Sequence, residues 1–271
     1  MEMTKLAGRA VLSAGLAIAF AVEPADAATM SPHRATYALS AASGLGQKPA
    51  RVIDGLMIFE LSDDCEGHTL TDRTVIRLSY GDGHDVTLDS RYSAWESKDG
   101  VNFKFLASTR IDGREVEVIR GSARLDAAGG AGVATFTSPA DKELRLPSGT
   151  LFPVHAGTYS MTEIENGARQ VSYIVFDGST VRGAYLASEF VVASPIKAGD
   201  APTGDLELLD TPSWHIRTAV FNFDDESAPP ATEIDGQTHV NGVISGFTME
   251  LESFAAVATL TKVEALPESG C

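Results

Sequence analysis

Three features of the sequence predict an all-β protein, an antiparallel meander curled into a barrel, sandwich or similar sheet, with one short helix. The first is turn chemistry: Asp-Gly stands at 54–55, 82–83, 99–100, 112–113, 177–178 and 235–236, and Asn-Gly at 166–167 and 241–242. Both dipeptides suit the positive φ angles of tight hairpin turns. The second is alternation of apolar and polar residues between those turns. The third is spacing: about a dozen short strand-like runs follow one another, with no repeat of fixed period and no domain linker.

The runs can be taken in order. RVIDGLMIFEL opens at 51, TLTDRTVIRLSY at 69 and DVTLDSRYSAWES at 85. In VNFKFLAS, Val101, Phe103, Phe105 and Ala107 share one face; REVEVIRG sends Val116, Val118 and Arg120 one way and Glu115, Glu117 and Ile119 the other. GGAGVATFTS, QVSYIVFDG, TVRGAYLASEFVV, SWHIRTAVFNF, THVNGVISGFTMEL and AAVATLTKVEAL continue the series. One segment breaks it. After the turn-rich LPSGTLFP, the stretch VHAGTYSMTEIENG lacks alternating β-branched residues and ends in Asn166-Gly167, which reads as a helix of about three turns closed by a glycine cap. SPIKAGDAPTGD (194–205) and DDESAPPATE (224–233) read as surface loops.

The first 27 residues read as a signal peptide. Lys5 and Arg9 precede an apolar run from Ala10 to Val22, and Ala25-Asp26-Ala27 supplies a small-x-small cleavage site. A run of 13 residues is short of the roughly 20 that span a bilayer. No cysteine follows the cleavage site to carry a lipid, so the expected product is a soluble exported domain spanning 28–271. Removing the segment takes away two positive and three negative side chains, moving the formal charge from −16 to −15. An acidic chain of this kind is a poor partner for nucleic acid or anionic lipid, both of which are recognised by clustered Lys and Arg.

Export also bears on the two cysteines, Cys65 in SDDCEGHT and Cys271 at the final position. An oxidising compartment favours a disulfide, and two cysteines allow one intramolecular pairing. A dimer linked through Cys271 and a pair of free thiols are the alternatives. His68 is three residues from Cys65, yet a solitary exported cysteine is more often structural than nucleophilic.

The search for chemistry returns little. There is no G-x-S-x-G elbow, no glycine-rich phosphate loop, no paired-cysteine metal motif and no H-E-x-x-H. The six histidines, His33, His68, His84, His155, His215 and His239, are scattered. No catalytic residue, cofactor or metal is indicated, and the 37 acidic residues are too many to single out a pair. His215 lies beside Trp214 in a strand pattern and reads as structural; Trp95 in YSAWESKDG reads as a core plug.

Several stretches together resemble a known family. HRATYALS at 33–40, the cysteine in DDCEGHTL, YSAWESKDGVNFKF, GSARL, LRLPSGTLFPVHA, VFDG and the C-terminal cysteine occur in order across nearly the whole mature chain. They are similar to the cell-envelope integrity protein B (EipB) family of Gram-negative periplasmic proteins; W-E-S-K-D-G and L-P-x-G-T-L-F-P are the most specific parts. The chain departs at His68, where the resemblance leads one to expect tryptophan. The resemblance implies an antiparallel many-stranded β-spiral, an open curled barrel with a helix inside the curve, related in outline to the LolA and LolB lipoprotein carriers. It also implies a Cys65–Cys271 disulfide, no enzymatic activity and a role in envelope integrity under stress, while the single intramolecular pairing open to two cysteines leads to the expectation of a monomer. A periplasmic tetratricopeptide-repeat protein is the implied partner.

Two expectations for function follow. One is a non-catalytic periplasmic protein that docks partner proteins. The other is a carrier holding a lipid or acyl chain in the concave face, which requires an apolar cavity left unfilled by the helix.

Overall fold

The computed structural model describes residues 28–43, 48–193, 201–223 and 229–271. The proposed signal peptide and most of the two sequence-predicted loops lie outside the described residues. The chain runs β1 (His33–Ala41), β2 (Ala50–Asp63), β3 (Gly67–Tyr80), β4 (Asp85–Ser97), β5 (Asn102–Ile111), β6 (Arg114–Leu125), β7 (Gly132–Ser138), β8 (Lys142–Leu146) and β9 (Thr150–Leu151). Helix α1 (Pro153–Glu165) follows, then β10 (Gln170–Val175), β11 (Tyr185–Val192), β12 (Thr203–Gly204), a 3-10 turn at Leu206–Leu209, β13 (Ser213–Asn222), β14 (Thr232–His239), β15 (Ile244–Leu251) and β16 (Ala255–Ala265).

All sixteen strands belong to one sheet. From β8 back to β1, each strand pairs with its predecessor; β1 then pairs with β16, and the path continues through β15, β14, β13, β11 and β10 to β9. The two ends of this path, β8 and β9, are chain neighbours joined by the Pro147–Gly149 turn. The sheet therefore comes round until its first and last strands meet, an open barrel with a seam rather than a flat array. Lys142 Nζ donates to the Val181 carbonyl at 2.7 Å across that seam. The pairings are antiparallel except for two: β9 runs parallel to β10, and β12 parallel to β16.

Alternation places the core inside the curve. Phe103 and Phe105 of β5, Ile119, Ala123 and Leu125 of β6 and Phe136 of β7 are at most 5% exposed. Phe152 and Phe176 come in from the seam, and Phe103 stacks on Phe152 with ring centroids 4.7 Å apart. Gly178, at φ 68°, lies against the Phe105 ring where no side chain fits. A second cluster gathers Tyr37, Leu39, Val52, Ile76, Phe247 and Leu260 under β1–β3 and β14–β16. Truncating any one of the buried phenylalanines to alanine is worth about 3–5 kcal/mol.

Several sequence readings are corrected here. Asp54-Gly55 and Asp235-Gly236 are not turns: they lie within β2 and β14, the first beside a bulge in the β2–β3 register. THVNGVISGFTMEL is two strands folded at Asn241-Gly242, with Gly242 at φ 84°. Strand β8 and the two-residue strands β9 and β12 carry no alternation long enough to read. The helix lies where its sequence placed it, and Gly167 follows it at φ 96°.

Cys65 sits in the β2–β3 turn and Cys271 in the tail beyond β16; they stand at disulfide distance, with Cα atoms 5.6 Å apart across 206 residues of sequence. The tail reaches the turn because β16 lies two strands from β2, and Ser269 N and Oγ both donate to Asp63 there. In the chain-entropy treatment a loop of this length is worth about 5 kcal/mol. Cys65→Ser, Cys271→Ser and the double variant are expected to melt at one common lower temperature, with roughly 2–4 °C lost per kcal/mol. Non-additivity of the two single changes is the readout, and additive losses show that the bond is absent.

Candidate functional site: a buried carboxylate and a cavity near the seam

Strand β4 ends in Ala94-Trp95-Glu96-Ser97, and alternation decides which side chains face inward. The sequence reading made Trp95 a core plug; instead Trp95 is only half-buried, with Lys104 Nζ 5.4 Å from its ring centroid, while Glu96 takes the inward position at 0% exposure. A carboxylate this deep requires hydrogen-bond donors. It finds them at the start of α1. Val154 N donates to Glu96 Oε2 at 2.7 Å, His155 N to Oε1 at 3.0 Å, and His155 Nδ1 lies 2.5 Å from Oε1.

The helix needs this partner as much as the carboxylate does. Its N-cap, Phe152, has no capping side chain, and Pro153 brings no N–H. Glu96 takes the next two N–H groups and sets a negative charge at the positive end of the helix dipole. Its hydrogen bond and charge raise the His155 pKa above 6.5, with burial opposing. Gly100, at φ 65°, completes the seat: a Cβ there would lie 2.8 Å from the His155 ring. Ser97 and Asp99 shape the turn, Asp99 Oδ1 accepting from Val101 N at 3.1 Å and Ser97 Oγ from Asn102 N at 2.9 Å. WESKDG and LPSGTLFPVHA are therefore the two halves of one contact.

Further along, the helix is held twice more. Glu189 of β11 accepts from Ser160 Oγ and, at 2.7 Å, from the Tyr173 hydroxyl, and Ala28 N donates to Thr162 Oγ1 at 3.0 Å. Met161 and Ile164 pack with Ala28, Val171 and Ile216 in a third cluster, against which Trp214 rests. Its neighbour His215 pairs instead with Asp235. Of the six histidines, the structure brings His68 and His155 to the two sides of Glu96: His68 faces Glu96 across the β3–β4 ladder. Burial and Lys98 lower the His68 pKa. Its Nδ1 lies 3.1 Å from Asp63 Oδ1. Among the described residues no group of three His, Cys, Asp or Glu is placed to hold a metal.

The core clusters do not merge. Where they stop short lies a cavity of about 380 Å³. Leu144 and Ala184 on its wall edge the phenylalanine cluster, Tyr185 edges the one under the helix, and Ile234 edges the one under β1–β3. Asp177, also on the wall, is committed: Oδ2 accepts from the Tyr185 hydroxyl at 2.9 Å, Oδ1 from Ser179 N at 2.8 Å, and its carbonyl from the Tyr92 hydroxyl at 2.8 Å. Burial raises both phenols well above 10. The cavity falls in the size range of small-molecule sites. No single residue announced it in the sequence, since its wall is drawn from β8, β11, β13, β14 and the 176–184 loop.

The described residues form one curled sheet, an open β-barrel with a single α-helix packed against it and a cavity beside its seam. The chain belongs to the EipB-like family, whose family model matches residues 24–267. It is 26% identical over 247 residues to the cell envelope integrity protein EipB of Brucella abortus (strain 2308), covering 90% of this chain and 87% of that protein. The fold is shared with a crystal structure of a β-barrel-like protein of a domain of unknown function from Brucella abortus, with a TM-score of 0.74, 24% identity, and coverage of 89% of this chain and all of that one. Among the described residues no helix is long and apolar enough to cross a membrane.

Removing the Glu96 carboxylate leaves two helix N–H groups and an imidazole without their acceptor. Glu96→Ala is expected to destabilise the protein by about 3–5 kcal/mol, with Glu96→Gln losing less because it keeps one acceptor. The His155 contribution has a definite sign. Because its folded pKa is raised above 6.5, the stability it adds is full below that value and is lost as pH rises through the folded pKa. Urea midpoints of the parent and His155→Asn, compared from about pH 6 to about pH 9, are expected to converge with rising pH. A gap that widens instead contradicts the ion pair.

Proposed function

We propose that this is an exported periplasmic protein that supports cell-envelope integrity by docking a partner protein, without catalysis of its own. The observation that carries the reading is family membership across 24–267, together with a relative named for envelope integrity. The signal-peptide order of the first 27 residues supports export, and cleavage after Ala27 places the mature start at Ala28, whose backbone N–H reaches Thr162 of α1. A repeat protein of the tetratricopeptide type is the proposed partner, and the protein acts as a monomer.

A second reading, a carrier for a lipid or acyl chain, is favoured by one observation, the unfilled cavity. The two diverge in a single experiment. Loss of the gene is expected to sensitise cells to detergents and to cell-wall antibiotics, and the full chain to restore growth where a chain lacking residues 1–27 does not. No sensitivity, or rescue by the leaderless chain, sinks the periplasmic reading. Ile234→Trp fills the cavity from within: if the folded variant rescues, docking is the activity; if it fails while remaining exported and folded, carriage is.

A further inference from the structure

We infer that the cavity takes a single-chain amphiphile with an anionic headgroup, its tail among Leu144, Val220 and Ile234 and its head beside Arg145 and Arg182. This rests on the carrier reading and names the ligand class. The lining reverses the sign of the chain. The protein has 37 acidic and 21 basic residues, yet among the described residues the charged ones on this wall are Arg145, Arg182 and Asp177. Asp177 is already occupied by two donors, Tyr185 and Ser179, so its carboxylate has little left to offer an incoming group. The two arginines are exposed, which puts them at the mouth, and neither forms an ion pair with a described carboxylate. Guanidinium groups at the mouth of an apolar hollow match a carboxylate or phosphate on an alkyl chain, because their forked donors pair with two oxygens at once.

The mouth is also pre-formed. Arg145 lies on β8, in register with Val133 of β7, and Arg182 lies in the loop that Lys142 fastens to β8 through the Val181 carbonyl. With their backbones held on opposite sides of the seam, the two arginines select a headgroup without the entropy cost of ordering a loose loop. A volume of about 380 Å³ suits one chain rather than a two-chain phospholipid.

Isothermal titration of the processed, oxidised protein with dodecanoate, dodecyl phosphate and dodecanol, each below its micelle-forming concentration, tests this. At least one of the two anions is expected to bind about tenfold or more tightly than the alcohol, and which anion binds better distinguishes a fatty acid from a phosphate-headed lipid. The double reversal R145E/R182E is expected to erase that preference and leave dodecanol binding unchanged. Equal affinities in the parent, or a preference that survives the reversal, overturn the headgroup assignment while the carrier reading stands. Failure of all three probes to bind overturns both. Ile234→Trp is expected to abolish binding; should circular dichroism show it unfolded, Val220→Phe replaces it on the same wall, and unchanged binding by the folded variant shows that the site lies elsewhere.

Discussion

The carboxylate of Glu96 is the constraint on which the interior is organised. It has no access to water, and α1 begins with no capping side chain and with a proline, so each supplies what the other lacks. The pairing fixes more than a helix end. Thr150 and Leu151 form β9, the terminal strand of the sheet, and Phe152, between that strand and the helix, is fully buried. Seating the helix on β4 therefore also sets where the curled sheet comes to its seam, and the phenylalanine cluster forms around that seating.

The same contact explains why the core is divided. A helix held at its N-terminus by Glu96, at its middle by Glu189 of β11 and near its end by Ala28 packs against β10. It does not extend across the full interior. Side chains at the margins of the clusters, such as Met57, Phe59 and Met249, pack on one side and keep accessible surface on the other. Polar anchoring thus fixes the helix to one part of the wall, and the cavity lies apart from it, lined by β8, β11, β13, β14 and the 176–184 loop.

Strands with long alternation and glycine turns were legible, and so was the helix, because each is specified within its own sequence. Asp54-Gly55 and Asp235-Gly236 misled because the same dipeptide that suits a hairpin also relieves crowding inside a sheet: a Cβ on Gly55 would lie 2.7 Å from the Val75 carbonyl oxygen. β9 and β12 were invisible, since two-residue parallel pairings depend on partners far along the chain. Glu96 was hidden among many acidic residues; the signal available was its position two after Ala94, on the inward side of an alternating strand. Of the stretches that carry the family resemblance, WESKDG holds Glu96 and LRLPSGTLFPVHA holds Val154 and His155, although neither discloses that it touches the other.

The order of the strands has a consequence for how the chain acquires its fold. β1 lies between β2 and β16, so the first strand made is paired on one side early and on the other only when the last strand arrives. A polypeptide that emerges N-terminus first holds the β1–β8 half with an unsatisfied strand edge for the whole time the remaining half is being delivered. Such an edge is a template for wrong partners. Cys271, which stands at disulfide distance from Cys65, follows β16 and so appears only after all sixteen strands have been made. Maturation is thus a post-delivery event by geometry, and the half-emerged chain is the state in which a chaperone has most to do.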